Sequence, residues 1–286
     1  MIHTGQTQDL TILRNTSVGI FLGDNEGNDV LLPNKYVPPQ HDQGSLLRVF
    51  VYRDFEDRQV ATTLVPKIRL NGFASLRVFA VDHLGAFMDW GLEKHLMVPF
   101  KEQQKKLEEG RWYVTYMMLD EQTDRLVGST RIDKHLDNSE LSVAEGDEVE
   151  LLVFGRSEMG WSVIVNDKHQ GLVHTNDVFM PFSTGDRVTG YVKTVRPDNK
   201  LDITLQPIGY DQYNDVNTAL LAKRLQQYQG FLPLTDKSSP EDIYRVFGIS
   251  KKAFKKALGA LYKERKVRIE EEGIAWIDDA QDAESR

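Results

Sequence analysis

A pair of glycines 25 residues apart recurs three times in this chain of 286 residues: Gly19 and Gly44, Gly85 and Gly110, Gly160 and Gly185. The flanks repeat with the spacing. The first glycine opens Gly19-Ile20-Phe21-Leu22, Gly85-Ala86-Phe87-Met88 or Gly160-Trp161-Ser162-Val163. Inside each interval lies a short apolar run: Val30-Leu31-Leu32-Pro33, His95-Leu96-Met97-Val98-Pro99 and Gly171-Leu172-Val173-His174. The second glycine opens a strand that ends in a polar turn, at 54–58, 120–125 and 196–200, and a last strand follows each turn. With one more strand ahead of the first glycine, as at 75–81 and 148–154, each unit has five short strands. Short strands in such number expose many unpaired edges, and closure into a small barrel removes them. The expected fold is therefore mainly β, with three tandem five-stranded barrels at 1–70, 71–145 and 146–210. A C-terminal α+β domain at 211–278 and an acidic tail at 279–286 complete the chain.

Alternation along the strands assigns faces. In the first unit Val18, Ile20 and Leu22 share one side, and Phe21 lies on the other with Gly19. In the second, Ala86 and Met88 share a side and Phe87 lies opposite. The third reverses this: Trp161, Val163 and Val165 fall together, and Ser162 takes the phenylalanine's place. Trp161 is thus expected in the core, with Phe21 and Phe87 as outward stacking surfaces. Helix-favouring residues at 102–109 predict a helical insertion in the second barrel.

These motifs resemble the S1 domain, the five-stranded OB-fold RNA-binding repeat of the large ribosomal protein of that name. The resemblance implies a ligand face of aromatics around the glycine step, a histidine ending the Gly-Leu-Val-His run, and an acidic and a basic residue flanking the last turn. The first unit supplies Phe21, Asp54 and Arg58, with Leu32-Pro33 where the histidine would stand. The second supplies Phe87, Asp120 and Arg125, with Val98-Pro99 at that place. The third has His174 and Lys200, and adds Lys193, but Ser162 and Arg196 depart from the phenylalanine and the acid. No unit has the full set, so RNA binding is expected to use more than one.

From Asp215 the texture changes to a helical period, with Val216, Ala219, Leu220 and Leu225 in one stripe and Gly230 as a stop. Ser239-Pro240-Glu241-Asp242 reads as a capped helix start, and Ser250 caps the next helix. That helix carries Lys251, Lys252, Lys255, Lys256 and Lys263 opposite an apolar stripe. A hairpin follows, with Glu270-Glu271-Glu272-Gly273 at its tip. Helix, short strand, two helices and hairpin is the order of a winged helix. The run Asp236-Lys237-Ser238-Ser239-Pro240-Glu241, with Gly248-Ile249-Ser250-Lys251-Lys252-Ala253-Phe254-Lys255-Lys256-Ala257-Leu258-Gly259, resembles the conserved virulence factor B family of bacteria. That resemblance spans the chain in domain order. It implies a cytoplasmic RNA-binding protein that regulates gene expression after transcription, without catalysis.

Charge agrees with a localised contact. The chain carries a net −8, and 211–277 is its only net-basic stretch, with 12 basic against 9 acidic side chains. Zero cysteines exclude disulfides, thiolate metal sites and thiol catalysis. No apolar run is long enough for a membrane span, and no secretory signal opens the chain. No phosphate loop or His-Glu-x-x-His motif is present, and no cofactor or metal is expected. The run Asp24-Asn25-Glu26-Gly27-Asn28-Asp29 lacks the glycine and glutamate a calcium loop requires and reads as a turn. Asp120 and Asp124 read as solvated turn residues. The expected partner is single-stranded RNA, held by Phe21, Phe87 and His174 with Arg58, Arg125, Lys193, Arg196 and Lys200, and extended along the lysine helix. Two other readings stay open. One is a scaffold that docks to a protein or ribosome partner; the other is a winged-helix regulator of duplex DNA, disfavoured by the acidic wing tip.

Overall fold

The computed structural model describes residues 1–178, 183–206 and 210–277, with the side chains of 176 and 210–216 left out; the acidic tail at 279–286 lies outside the described residues. Five strands build the first barrel: β1 (Thr7–Asn15), β2 (Gly19–Gly23), β3 (Asp29–Pro33), β4 (Leu46–Arg53) and β5 (Gln59–Thr62). The second is built from β6 (Phe73–Val81), β7 (Gly85–Asp89), β8 (Leu96–Pro99), β9 (Trp112–Asp120) and β10 (Arg125–Ser129). The third uses β11 (Glu148–Arg156), β12 (Gly160–Val165), β13 (His169–His174), β14 (Arg187–Val195) and β15 (Leu201–Thr204). All three close in the same order, first strand to second, third, fifth and fourth, with a parallel pairing between third and fifth.

The repeated glycine has a physical cause. Gly19, Gly85 and Gly160 have φ of +152°, +155° and +154°, and pair with Pro33, Pro99 and His174. A Cβ at these sites would meet the carbonyl oxygen of Leu32, Val98 or Val173 at 2.1, 2.4 or 2.1 Å. Only a residue without Cβ lets the second strand close on the third here. The first strand of each barrel also carries one extra residue, Leu13, Phe79 or Phe154, where its register to the second strand shifts.

Ile20 and Leu22, Ala86 and Met88, and Val163 and Val165 are buried as alternation predicts. Val18 departs from it: it precedes β2 and stands exposed. Trp161 is half-buried against the third core, and the Arg156 guanidinium lies 5.2 Å from its ring centroid. No helix forms at 102–109. Only a single 3-10 turn, Phe100–Glu102, precedes an irregular strap. Burial explains the difference: Leu107 enters the second core, and the buried Gln103 side chain bonds Val98 O and Leu107 N in place of helical backbone bonds.

Apolar surface also joins the barrels to each other. Phe50 and Tyr52 of the first set their rings edge-on to Trp90 of the second, at 5.8 and 6.3 Å. Phe73 and Val114 of the second pack with Leu152 and Ile164 of the third.

The C-terminal domain comprises α1 (Tyr210–Gln227), β16 (Phe231–Leu232), α2 (Pro240–Phe247), α3 (Lys251–Lys263), β17 (Val267–Ile269) and β18 (Ile274–Trp276), with the sheet in the order β16-β18-β17. Ser239 and Ser250 cap α2 and α3, accepting from Asp242 N and Ala253 N. The buried stripe of α1 runs through Leu221 and Leu225, with Leu220 partly buried and Ala219 exposed; the side chain of Val216 lies outside the described residues. Leucine's larger apolar area wins the inward position over alanine's.

Candidate nucleic-acid interface

Strand register superposes the outer faces of the three barrels. In the second, Phe87 on β7 stands beside Ala80, Met97 and, through Met97, Val127. The matching row in the first is Arg14, Phe21, Leu31 and Val60, and in the third Gly155, Ser162, Leu172 and Asp202. One fold thus carries three different surfaces.

The second barrel's face opens into a cleft of about 370 Å³ against the first. Phe87 and Arg125, both expected from the sequence, line it together. So do three aromatic rings that the sequence reading missed: Phe55, Phe79 and His95. Phe79 is 63% exposed and Phe55 75%, which is unusual for such large apolar side chains. The rings of Phe79 and His95 lie 3.9 Å apart between centroids. A signal for Phe79 was available: Leu76 and Val78 point inward along β6, which turns Arg77 and Phe79 outward. Phe55 was legible as a lone aromatic in a polar turn.

The cations beside the cleft are engaged between barrels. Arg125 reaches Asp57 of the first barrel at 3.0 Å, and Arg53 of the first reaches Asp124 of the second at 2.7 Å. Lys94 donates to Asp54 O at 2.6 Å. Asp124 is therefore an inter-barrel anchor and not a free turn carboxylate. Its φ of +51° is one that aspartate tolerates in a tight turn.

Elsewhere the expected residues are held locally. Phe21 is half-buried, and the Arg14 guanidinium covers its ring at 4.1 Å while pairing with Asp29 at 2.7 Å. Asp54 accepts from Arg58 and from the backbone N–H groups of Glu56 and Arg58, so it shapes its own turn. Burial raises the Asp54 carboxyl, but these hydrogen bonds outweigh it and hold the group below its usual range. Asp120 likewise accepts from Thr123 and Gln122 within its turn. Lys193 pairs with Asp177 at 2.7 Å and Lys200 with Asp198 at 2.6 Å.

In the third barrel His174 and Arg196 converge on a residue the sequence reading missed, Asp202. Its Oδ1 lies 2.8 Å from His174 Nε2 and 2.7 Å from Arg196. Burial raises the Asp202 carboxyl, yet the hydrogen bonds from Arg196 and His174 outweigh it and hold it below the usual carboxylate range. A depressed folded pKa stabilises fully above the unfolded value and is lost as pH falls through the folded one. Thermal melts of the wild type should therefore fall more steeply below about pH 4 than those of Asp202→Asn, which lacks the ionised carboxylate at every pH. Equal acid limbs would show the cluster contributes nothing.

On α3, Lys252, Lys255, Lys256 and Lys263 are exposed and Lys251 half-buried; Lys255 approaches Asp236 at 3.5 Å. Glu270, Glu271 and Glu272 stand exposed at the wing tip. Among the described residues, no group of three or more His, Cys, Asp and Glu side chains could hold a metal ion, and no helix is long and apolar enough to cross a membrane.

Three S1-type OB barrels followed by a winged helix define a class of proteins built from nucleic-acid-binding domains. An S1 domain family matches residues 4–64, and the CvfB-like winged helix domain family matches residues 219–275. Over most of its length the chain is similar to the conserved virulence factor B proteins. That of Staphylococcus aureus (strain USA300) is 27% identical over 241 residues, which cover 79% of this chain and 77% of the relative. The Bacillus subtilis (strain 168) protein YitL is 29% identical over 284 residues, covering 93% and 91%. A crystal structure of a multidomain protein with nucleic acid binding domains from Streptococcus pneumoniae covers 96% of this chain and 98% of its own, at 24% identity and a TM-score of 0.44.

Proposed function

We propose that the protein is a non-catalytic, cytoplasmic RNA-binding protein selective for single strands, acting in regulation after transcription. The carrying observation is the cleft between the first two barrels, where the exposed rings of Phe55 and Phe79 and the half-buried ring of Phe87 stand beside Arg53, Lys94 and Arg125. Unpaired bases can stack on such rings, whereas duplex bases are already stacked on each other. Of the cations there Arg125 is the one in an exposed pair, with Asp57, and a surface pair of this kind contributes little, which leaves its guanidinium open to a phosphate. His174, Lys193, Arg196 and Lys200, with Phe21, Asp54, Arg58 and Asp120, are assigned secondary contacts along the same row of barrels. Lys251, Lys252, Lys255 and Lys256 extend the phosphate track.

The test is fluorescence anisotropy with a labelled single-stranded RNA and a matched duplex DNA at two salt concentrations. Tighter RNA binding that salt loosens only in part is expected. Changing Lys251, Lys252, Lys255 and Lys256 together to glutamine should flatten the salt dependence by about 0.7 for each phosphate no longer neutralised. A preference for duplex with a steep slope would transfer the function to α3. The carboxylate partners of Arg58, Arg125, Lys193, Arg196 and Lys200 favour a second reading, a scaffold for a protein or ribosome partner. Absence of binding to either nucleic acid would leave that reading in place.

A further inference from the structure

A second cleft, of about 600 Å³, lies between the second and third barrels and is lined by none of the site residues expected from the sequence. Its chemistry differs from that of the first. Lys105, Arg111 and Arg156 line it and no carboxylate does. Arg111 is tied to Glu108 at 3.0 Å, but neither Lys105 nor Arg156 has an ion-pair partner among the described residues. Both are exposed, in a chain of net charge −8. Trp112 lines the same cleft and stands 59% exposed. Large aromatics at the start of a barrel strand normally turn inward or cover a neighbour, and leaving an indole in water is costly unless something covers it.

The two clefts are joined by the backbone. Phe79 lines the first, and Arg77, two residues earlier on the same outward side of β6, is the direct cross-strand partner of Trp112 on β9. Two residues of strand span about 7 Å, so Phe79, Arg77 and Trp112 form a continuous row across the second barrel. Gly110 closes the row on its other side, accepting from Arg77 Nε at 3.2 Å.

We propose that the second cleft is a further single-stranded nucleic-acid site, in which Trp112 stacks a base and Lys105 and Arg156 hold phosphates. One strand then runs from the first cleft over Phe79 and Arg77 into the second. Unneutralised cations in one cleft with an open indole, without a lining carboxylate, favour a polyanion with planar bases over a peptide. The strap at 102–109, which sequence alone leaves without a purpose, supplies Lys105 and fixes it by burying Leu107. This inference rests on the function proposed above.

The experiment compares labelled oligouridylates of increasing length on the full chain, as wild type, Trp112→Ala, the double variant Lys105→Gln/Arg156→Gln, and Phe87→Ala. Trp112→Ala should weaken long oligomers about five- to 150-fold and leave the shortest binders unchanged. The double variant should flatten the salt slope for long oligomers by about 1.4. Phe87→Ala should weaken oligomers of every length. If Phe87→Ala weakens binding while Trp112→Ala and the double variant match wild type at all lengths, the second cleft is not a nucleic-acid site, and the first still is. If wild type binds no oligomer, both readings fall. All the replaced side chains in the second cleft are exposed, so their loss leaves the fold intact.

Discussion

Replacing Phe79 and Phe87 together with alanine is expected to weaken single-stranded RNA binding at least about fivefold, and at least about 25-fold where each ring stacks its own base, because stacking contributes about 1–3 kcal/mol per base. The two rings differ in how they are held. Phe79 projects from the extra residue of β6, packs on His95 and is mostly in water, so removing it costs the fold little. Phe87 is half-buried between Ala80 and Met97, and its loss also removes packing on the barrel's outer face. Anisotropy titrations therefore need a thermal melt beside them, with the Phe79→Ala single variant as the one whose melt should match wild type. If each ring stacks a different base, the two single losses add; if they clamp one base, the double variant loses less than the sum. Wild-type affinity in the double variant would remove the cleft from the binding surface.

Gly85→Ala is expected to destabilise the second barrel by about 2–4 kcal/mol, from backbone strain and a steric clash. At φ +155° the new Cβ would stand 2.4 Å from Val98 O, a backbone atom that cannot turn aside. β7 and β8 must separate, which shifts Phe87 and Met97, so RNA affinity should fall with stability. Gly259→Ala is the matched control. Gly259 sits in the exposed interior of α3, where a Cβ meets nothing within 4 Å, and alanine should stabilise the helix by up to about 1 kcal/mol. Chemical denaturation of the three proteins checks both signs. A neutral Gly85→Ala would mean that the repeated glycine is not there for steric reasons.

How the barrels meet was beyond the reach of pattern. Arg125 reads from sequence as a phosphate ligand of its own turn, yet its partner Asp57 lies 68 residues away on another barrel. Asp124 reads as solvated for the same reason, since no local signal announces Arg53. The segment at 102–109 has helix-favouring residues but becomes a strap, because burying Leu107 in the second barrel's core outweighs a propensity of a few tenths of a kcal/mol per residue. Phe79 and Trp112 could have been flagged as apolar residues at outward positions, but nothing in the chain says that a cleft forms beside each.

Local rules were enough for the repeat. Gly19, Gly85 and Gly160 are set by contacts within one hairpin, the alternation of Ala86 and Met88 by one strand's period, and the caps Ser239 and Ser250 by the first turn of their own helices. Each depends on residues a few positions to some fifteen positions apart, so three barrels and a winged helix are legible from local pattern. The binding surfaces depend on which barrel faces turn toward each other. That is decided by side chains such as Phe50, Trp90, Phe73 and Ile164, whose partners are distant along the chain and adjacent only once each barrel has closed.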